Sequence, residues 1–133
     1  MQNQFDFFQA KLTNEMDPSD LADRLNEENQ NGLIVIDARP KEAFEAEHIP
    51  GALSFSHQTM NEKTVESLRK DILYVIYCDG IGCNGSTKGC MKMIKLGFKV
   101  KELIGGLEWW KKDGFSTKGT AGKKRQFDIH CNC

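Results

Sequence analysis

The chain has 133 residues, 39% hydrophobic and 28% charged, with a formal net charge of -1. A chain of that size buries a core without staples, and one domain is the starting expectation. The near-neutral balance gives no general push toward nucleic acid or an anionic membrane surface, and no stretch approaches the ~20 apolar residues of a membrane span. Met1-Gln2-Asn3-Gln4-Phe5-Asp6-Phe7-Phe8 holds no basic region followed by an apolar one, so no secretory signal is expected and the expected location is cytoplasmic. In that compartment the five cysteines are expected as free thiols rather than a disulfide framework.

Residues 5 to 12 mix three phenylalanines with polar residues. This predicts a short amphipathic helix with Phe5, Phe8 and Leu12 on the face that docks on the domain. Asp17-Pro18 predicts a helix start, with Asp17 as N-cap and Pro18 at the first helical position. Leu21 and Leu25 share its inner face, and the helix is expected to stop near Asn31-Gly32. Leu33-Ile34-Val35-Ile36 is a continuous apolar run, the pattern of a strand covered on both faces in a parallel sheet. It ends in Asp37-Ala38-Arg39-Pro40, and Pro40 can open a helix with Phe44 on its inner face. His48-Ile49-Pro50-Gly51-Ala52 is a turn signal. A short strand over 52–55 and a helix around Thr64-Val65-Glu66-Ser67-Leu68 follow.

Ile72-Leu73-Tyr74-Val75-Ile76-Tyr77 reads as a buried strand. It runs straight into Cys78-Asp79-Gly80-Ile81-Gly82-Cys83-Asn84-Gly85-Ser86-Thr87-Lys88, a thiol at a strand end followed by a loop with three glycines. Apolar residues at helical spacing then continue to Gly97, a helix stop, with Ser86 or Thr87 expected as N-cap. Glycines let successive amides turn inward into an anion-binding nest, and the helix N-terminus adds partial positive charge there. A thiolate so placed has a lowered pKa and is nucleophilic at neutral pH. Asp79, Gly80, Ile81, Gly82, Asn84, Gly85, Ser86 and Thr87 are the expected substrate-binding residues of this loop. Lys88 and Arg39 add positive charge for an anionic donor. Cys83 is a second thiol in the same loop, and the glycine-rich segment between it and Cys78 is flexible enough to bring the two together in a disulfide. Cys90 is expected in the core.

Val100-Lys101-Glu102-Leu103-Ile104 gives a last strand. It leads into Gly105-Gly106 and a helix carrying Trp109 and Trp110, read as core and rim packing. Strands alternating with helices predict an α/β fold, a mainly parallel sheet with helices on both faces. Its site lies outside the carboxyl ends of the strands, where Asp37, Arg39, Cys78 and Gly105-Gly106 converge. The domain is expected over 1–117, with a mobile basic tail over 118–133 that carries Lys118, Lys123, Lys124 and Arg125 and ends in His130-Cys131-Asn132-Cys133.

Three stretches of this sequence resemble the single-domain rhodaneses, a sulfurtransferase family. They are Ile36-Asp37-Ala38-Arg39 with Phe44 and His48-Ile49-Pro50-Gly51-Ala52; Tyr77-Cys78 with its glycine loop; and Leu96-Gly97-Phe98 with Leu103-Ile104-Gly105-Gly106 and Trp109. The resemblance implies that Cys78 takes a sulfane sulfur from a small anionic donor such as thiosulfate. The persulfide then passes it to cyanide, a small thiol or a protein thiol. It implies no cofactor and no metal, and gives His48 a structural role. One feature departs from the family. The loop from Cys78 to Ser86 is longer than usual, whereas the span from Cys83 to Lys88 has the usual length, so Cys83 competes as the sulfur carrier or serves as a partner thiol.

Two other classes share some of these features. The fold resembles that of the cell-cycle dual-specificity phosphatases, but their chemistry needs a phosphate-holding arginine at the helix end of the loop. Asn84, counted from Cys78, and Gly89, counted from Cys83, stand there instead. A non-catalytic carrier, redox or metal-binding module could use Cys78, Cys83, Cys90 and the terminal Cys131 and Cys133, although four residues separate Cys78 from Cys83 and six separate Cys83 from Cys90, not the two of structural zinc pairs.

Overall fold

The structure, a computed structural model, describes residues 2–27 and 32–124. Its centre is a five-stranded sheet in the order β1-β5-β4-β2-β3, with every pairing parallel. The strands are β1 (Glu15–Met16), β2 (Leu33–Asp37), β3 (Leu53–Ser54), β4 (Leu73–Tyr77) and β5 (Lys99–Leu103). The helices are α1 (Gln2–Asn14), α2 (Pro18–Leu25), α3 (Lys41–Ala46), α4 (Gly85–Lys95) and α5 (Gly106–Lys112). This is the expected α/β architecture. No described helix is long and apolar enough to cross a membrane.

β4 sits at the centre, and its alternating side chains supply two cores. Val75 and Tyr77 pack with Leu21 and Ala22 of α2 and with Leu107 and Trp110 of α5. Tyr74 and Ile76 pack with Met93 of α4 and with Met60 and Val65. A strand buried on both faces has no polar side to present, which is why this run is apolar without alternation.

The structure also departs from the sequence reading, each time for a physical reason. β1 was not foreseen. It is two residues long and exists through pairing with Glu102 and Leu103 of β5. Residues 64–68 form consecutive turns rather than a helix. Asn61 Oδ1 accepts from the Lys63 and Thr64 amides at 3.0 Å each, and Thr64 Oγ1 donates to Thr59 O at 2.7 Å. These local side-chain bonds compete with helical ones. α2 begins as expected, with Asp17 Oδ1 accepting from the Asp20 amide at 2.8 Å. It ends early, at Leu25, because Asn26 and Glu27 offer nothing apolar to bury. α1 forms, but Phe5, Phe8 and Leu12 do not dock: they are 65%, 55% and 78% exposed. The helix instead turns Phe7, Ala10 and Asn14 toward Cys90, Met91 and Ile94 of α4 across an open groove of about 460 Å³.

The chain packs on the domain beyond residue 117. Lys118 and His48 exchange backbone hydrogen bonds at 2.9 Å, and buried Thr117 donates to Glu47 Oε2 at 2.7 Å. Thr120 and Ala121 donate to Glu45 O and Ala46 O. So 118–121 run along residues 45–48, the end of α3 and the turn after it, and Lys123 closes back on Thr117 instead of leaving the domain as a tail. Arg125, His130, Cys131 and Cys133 lie outside the described residues.

Candidate active site

Three strand ends meet at one edge. β2 ends in Asp37, β4 in Tyr77 directly opposite it, and β5 in Leu103 ahead of Gly105-Gly106. Cys78 follows Tyr77 and is 3% exposed.

The floor is a buried polar network. Arg39 grips Asp37 with two parallel bonds, Nε to Oδ1 at 3.0 Å and Nη2 to Oδ2 at 2.8 Å. Tyr77 OH donates to the same carboxylate at 2.7 Å and accepts from the Ile49 amide at 3.1 Å. The guanidinium also donates to Glu47 O and Ala43 O, and its Nη1 reaches Asp79 Oδ1 at 2.9 Å. Burial works against the Arg39 charge, but the bonds to Asp37 and Asp79 outweigh it and hold the group protonated. Burial and the Asp37 charge likewise push the Tyr77 hydroxyl upward, keeping it a neutral donor. Arg39 therefore acts on the loop through Asp79, with its fork already filled by protein oxygens. His48 Nδ1 lies 2.6 Å from Phe44 O, a structural placement.

Gly105 and Gly106 hold the loop from the other side. They have φ of 76° and 58° and start α5 so that the Leu107 amide donates to Cys78 O at 2.9 Å and the Glu108 amide to Asp79 O at 2.8 Å. A Cβ on Gly106 would overlap Cys78 O and come within 2.9 Å of the Gly80 nitrogen. Gly106→Ala is thus strained by both φ and contact. It should cost about 2 kcal/mol or more, read as a fall of roughly 8 °C in Tm; an unchanged Tm would contradict the close approach.

Cys83 folds back toward Cys78 through a turn in which its amide donates to Gly80 O at 3.1 Å. The two sulfurs are joined in a disulfide, with Cα atoms 6.3 Å apart. Cys83 is half-buried and Ile81 is 76% exposed. α4 starts at Gly85 after Asn84, which makes no side-chain cap bond. Ser86 and Thr87 are not N-caps: the helix already begins at Gly85, so both lie inside its first turn, and their hydroxyls donate to Glu102 Oε2 on β5, at 2.7 Å each. The amides of the first turn of α4 have no carbonyl ahead of them in the helix and border the sulfurs. The vacant side-chain position of Gly85 lies 3.0 Å from Cys78 Sγ and 3.5 Å from Cys83 Sγ. Lys88 is exposed on the same turn. A cleft of about 240 Å³ opens at Cys83, lined by Gly80, Ile81, Ser86, Thr87, Glu15 and Glu102 among others. A larger cavity of about 340 Å³ lies against Leu33, Val35 and Trp110, away from the chemistry.

Sequence reasoning missed two residues. His57 follows β3, and its Cδ2 lies 3.2 Å from that same vacant position on Gly85. Burial lowers its pKa, and so do Lys92 and Lys88, while its Nδ1 is buried without a partner. The available signal was a histidine just past a strand end on the cysteine's edge of the sheet. Glu102, which claims both hydroxyls, sits in an alternating strand with no local mark of its role. Cys90 is half-buried, and burial with nearby Glu102 pushes its thiol up to about 12, which disfavours its thiolate. Among the described residues one group could offer three metal ligands: Cys78, Asp79 and Cys83. Its two sulfurs are bonded to each other and its carboxylate to Arg39.

A parallel α/β sheet with a cysteine at its central strand end, held over a glycine loop and a helix start, defines the class. Residues 17–113 match the family described as Rhodanese-like domain, and the chain belongs to that family. It is 35% identical over 81 residues to the thiosulfate sulfurtransferase GlpE of Coxiella burnetii, 59% of this chain and 72% of that protein. It is 30% identical over 95 residues to the adenylyltransferase and sulfurtransferase UBA4 of Candida albicans, of which it spans only 21%. Among solved structures, the BH2092 protein of Bacillus halodurans superposes with a TM-score of 0.86 at 38% identity, covering 98% of this chain and 94% of that one. A thiosulfate sulfurtransferase of Pseudomonas aeruginosa does so with a TM-score of 0.67 at 26% identity, over 82% of this chain and 20% of that one.

Proposed function

We propose that this chain is a sulfurtransferase in which Cys78 carries the sulfur. One observation carries the reading: the Cys78 sulfur stands at the end of the central strand against the first turn of α4, beside the vacant side-chain position of Gly85. The Cys78 thiolate attacks the outer sulfur of thiosulfate, a carbon-free anion small enough for the loop. The S–S bond of the donor breaks, sulfite leaves with the electron pair, and Cys78 becomes a persulfide. Cyanide or a thiol then takes the outer sulfur and returns the thiolate. The amides of Gly85, Ser86 and Thr87 and the partial positive charge of the helix end stabilise the anionic species. The hydroxyls of Ser86 and Thr87 donate to Glu102, so the main chain, not these side chains, meets the anion. Arg39 positions the loop through Asp79. The names of the Coxiella and Pseudomonas relatives support thiosulfate as donor. Cys83 as the carrier is the competing assignment, favoured by its greater exposure.

The test is thiocyanate formation from thiosulfate and excess cyanide by the fully reduced protein. Turnover well above the uncatalysed rate is expected; none at any cyanide concentration would remove this reading.

A further inference from the structure

The structure joins Cys78 and Cys83, and the proposed transfer leaves Cys83 unused. The Cys83 sulfur reaches the Cys78 sulfur itself, on a loop closed by its own Gly80–Cys83 turn and backed by a residue with no side chain, Gly85. That is the position a resolving thiol needs. Resting on the sulfur-transfer reading above, we propose a second activity at this site: reductive release of the sulfane sulfur as sulfide, with Cys83 as the resolving thiol.

The step balances. The Cys83 thiolate attacks the inner sulfur of the Cys78 persulfide, which is Cys78 Sγ. The Cys78–Cys83 bond forms, the persulfide S–S bond breaks, and the outer sulfur takes up the proton that the Cys83 thiol gave up on becoming a thiolate and leaves with the electron pair as hydrosulfide. The sulfane sulfur is reduced and the two cysteines are oxidised by the same two electrons. Hydrosulfide is the better leaving group than an alkyl thiolate, being the conjugate base of the stronger acid. A dithiol reductant then restores both thiols. The disulfide is the product of this step, and it forms with the strand end and helix start in their folded places. Attack on the outer sulfur would instead pass the sulfur to Cys83 and leave no disulfide. The cleft at Cys83 gives hydrosulfide a way out and the reductant a way in. Cys90, its thiol pushed up to about 12 by burial and Glu102, offers no competing thiolate on the described part of the chain.

The experiment is a single turnover. The full chain is reduced, the reductant is removed without air, and one equivalent of thiosulfate is added. Sulfite, sulfide and intact mass are then measured. The wild-type protein should release one sulfide for each sulfite, become two hydrogens lighter, and yield a Cys78–Cys83 linked peptide. Cys83→Ser should release sulfite without sulfide and stay one sulfur atom heavier, with the sulfur on Cys78; Cys83→Ala should do the same and guards against a folding defect in either variant. Wild-type protein that releases sulfite but keeps the extra sulfur overturns the resolving step and leaves the transfer reading intact. So does a disulfide that links Cys78 to Cys131 or Cys133 instead. No sulfite from any of the three proteins overturns the transfer reading, and this step with it.

Discussion

Cys78→Ser should abolish thiocyanate formation from thiosulfate and cyanide, a loss of roughly 10³-fold or more, because in the proposed function Cys78 holds the sulfane sulfur between the two half-reactions. The fold should survive. Serine is smaller than cysteine, and in the reduced protein, where the Cys78–Cys83 link is open, the backbone still holds the loop around residue 78: Cys78 O accepts from the Leu107 amide and Asp79 O from the Glu108 amide. Comparison with Cys83→Ser decides the register of the loop. An active Cys78→Ser beside an inactive Cys83→Ser would move the carrier five positions along the loop, to the thiol that stands nearer the cleft. Rates should be measured at excess cyanide on reduced protein, so that the acceptor outcompetes any closing of the Cys78–Cys83 disulfide.

What could be read from the sequence was what local pattern determines. The central strand was legible because a run buried on both faces has nothing polar in it, and Cys78 because it ends that run ahead of glycines. The Asp37–Arg39 ion pair joins residues only two apart, so it lies within the reach of local pattern. Its extension to Asp79 does not, since it joins residues 40 apart that meet only when β2 lies beside β4. Ser86 and Thr87 also failed as caps. The capping rule looks only at the helix's own sequence, but α4 already starts at Gly85, and the hydroxyls of Ser86 and Thr87 donate to Glu102 on the neighbouring strand. His57 carried no motif at all; what places it is a strand end on the same edge of the sheet. α1 misled in the opposite direction. Its phenylalanines satisfied the helical period, and the period says which side chains share a face but not that another element covers it.

Arg39→Lys should be the most destabilising conservative change in the molecule. Asp37 is fully buried, and its carboxylate accepts from Arg39 Nε, Arg39 Nη2, the Arg39 amide and Tyr77 OH. Lysine keeps the charge but not the planar fork, so it cannot bond both carboxylate oxygens while also reaching Asp79, Ala43 O and Glu47 O. One buried charge is then underpaired. Breaking such a pair costs about 3–5 kcal/mol, and retention of the charge brings the expectation to the lower end, about 3 kcal/mol. Asp79→Asn is the control. Asp79 is mostly exposed, so the loss of its charge should cost at most about 1 kcal/mol, while it releases the same tether on the loop. If the tether positions the cysteine, both variants should lower kcat/KM for thiosulfate, and only Arg39→Lys should lower the urea midpoint substantially. An Arg39→Lys protein as stable as wild type would mean that the buried fork does not hold the floor of the site. An Asp79→Asn protein with unchanged kcat/KM would mean that Arg39 supports the fold alone, without positioning the loop.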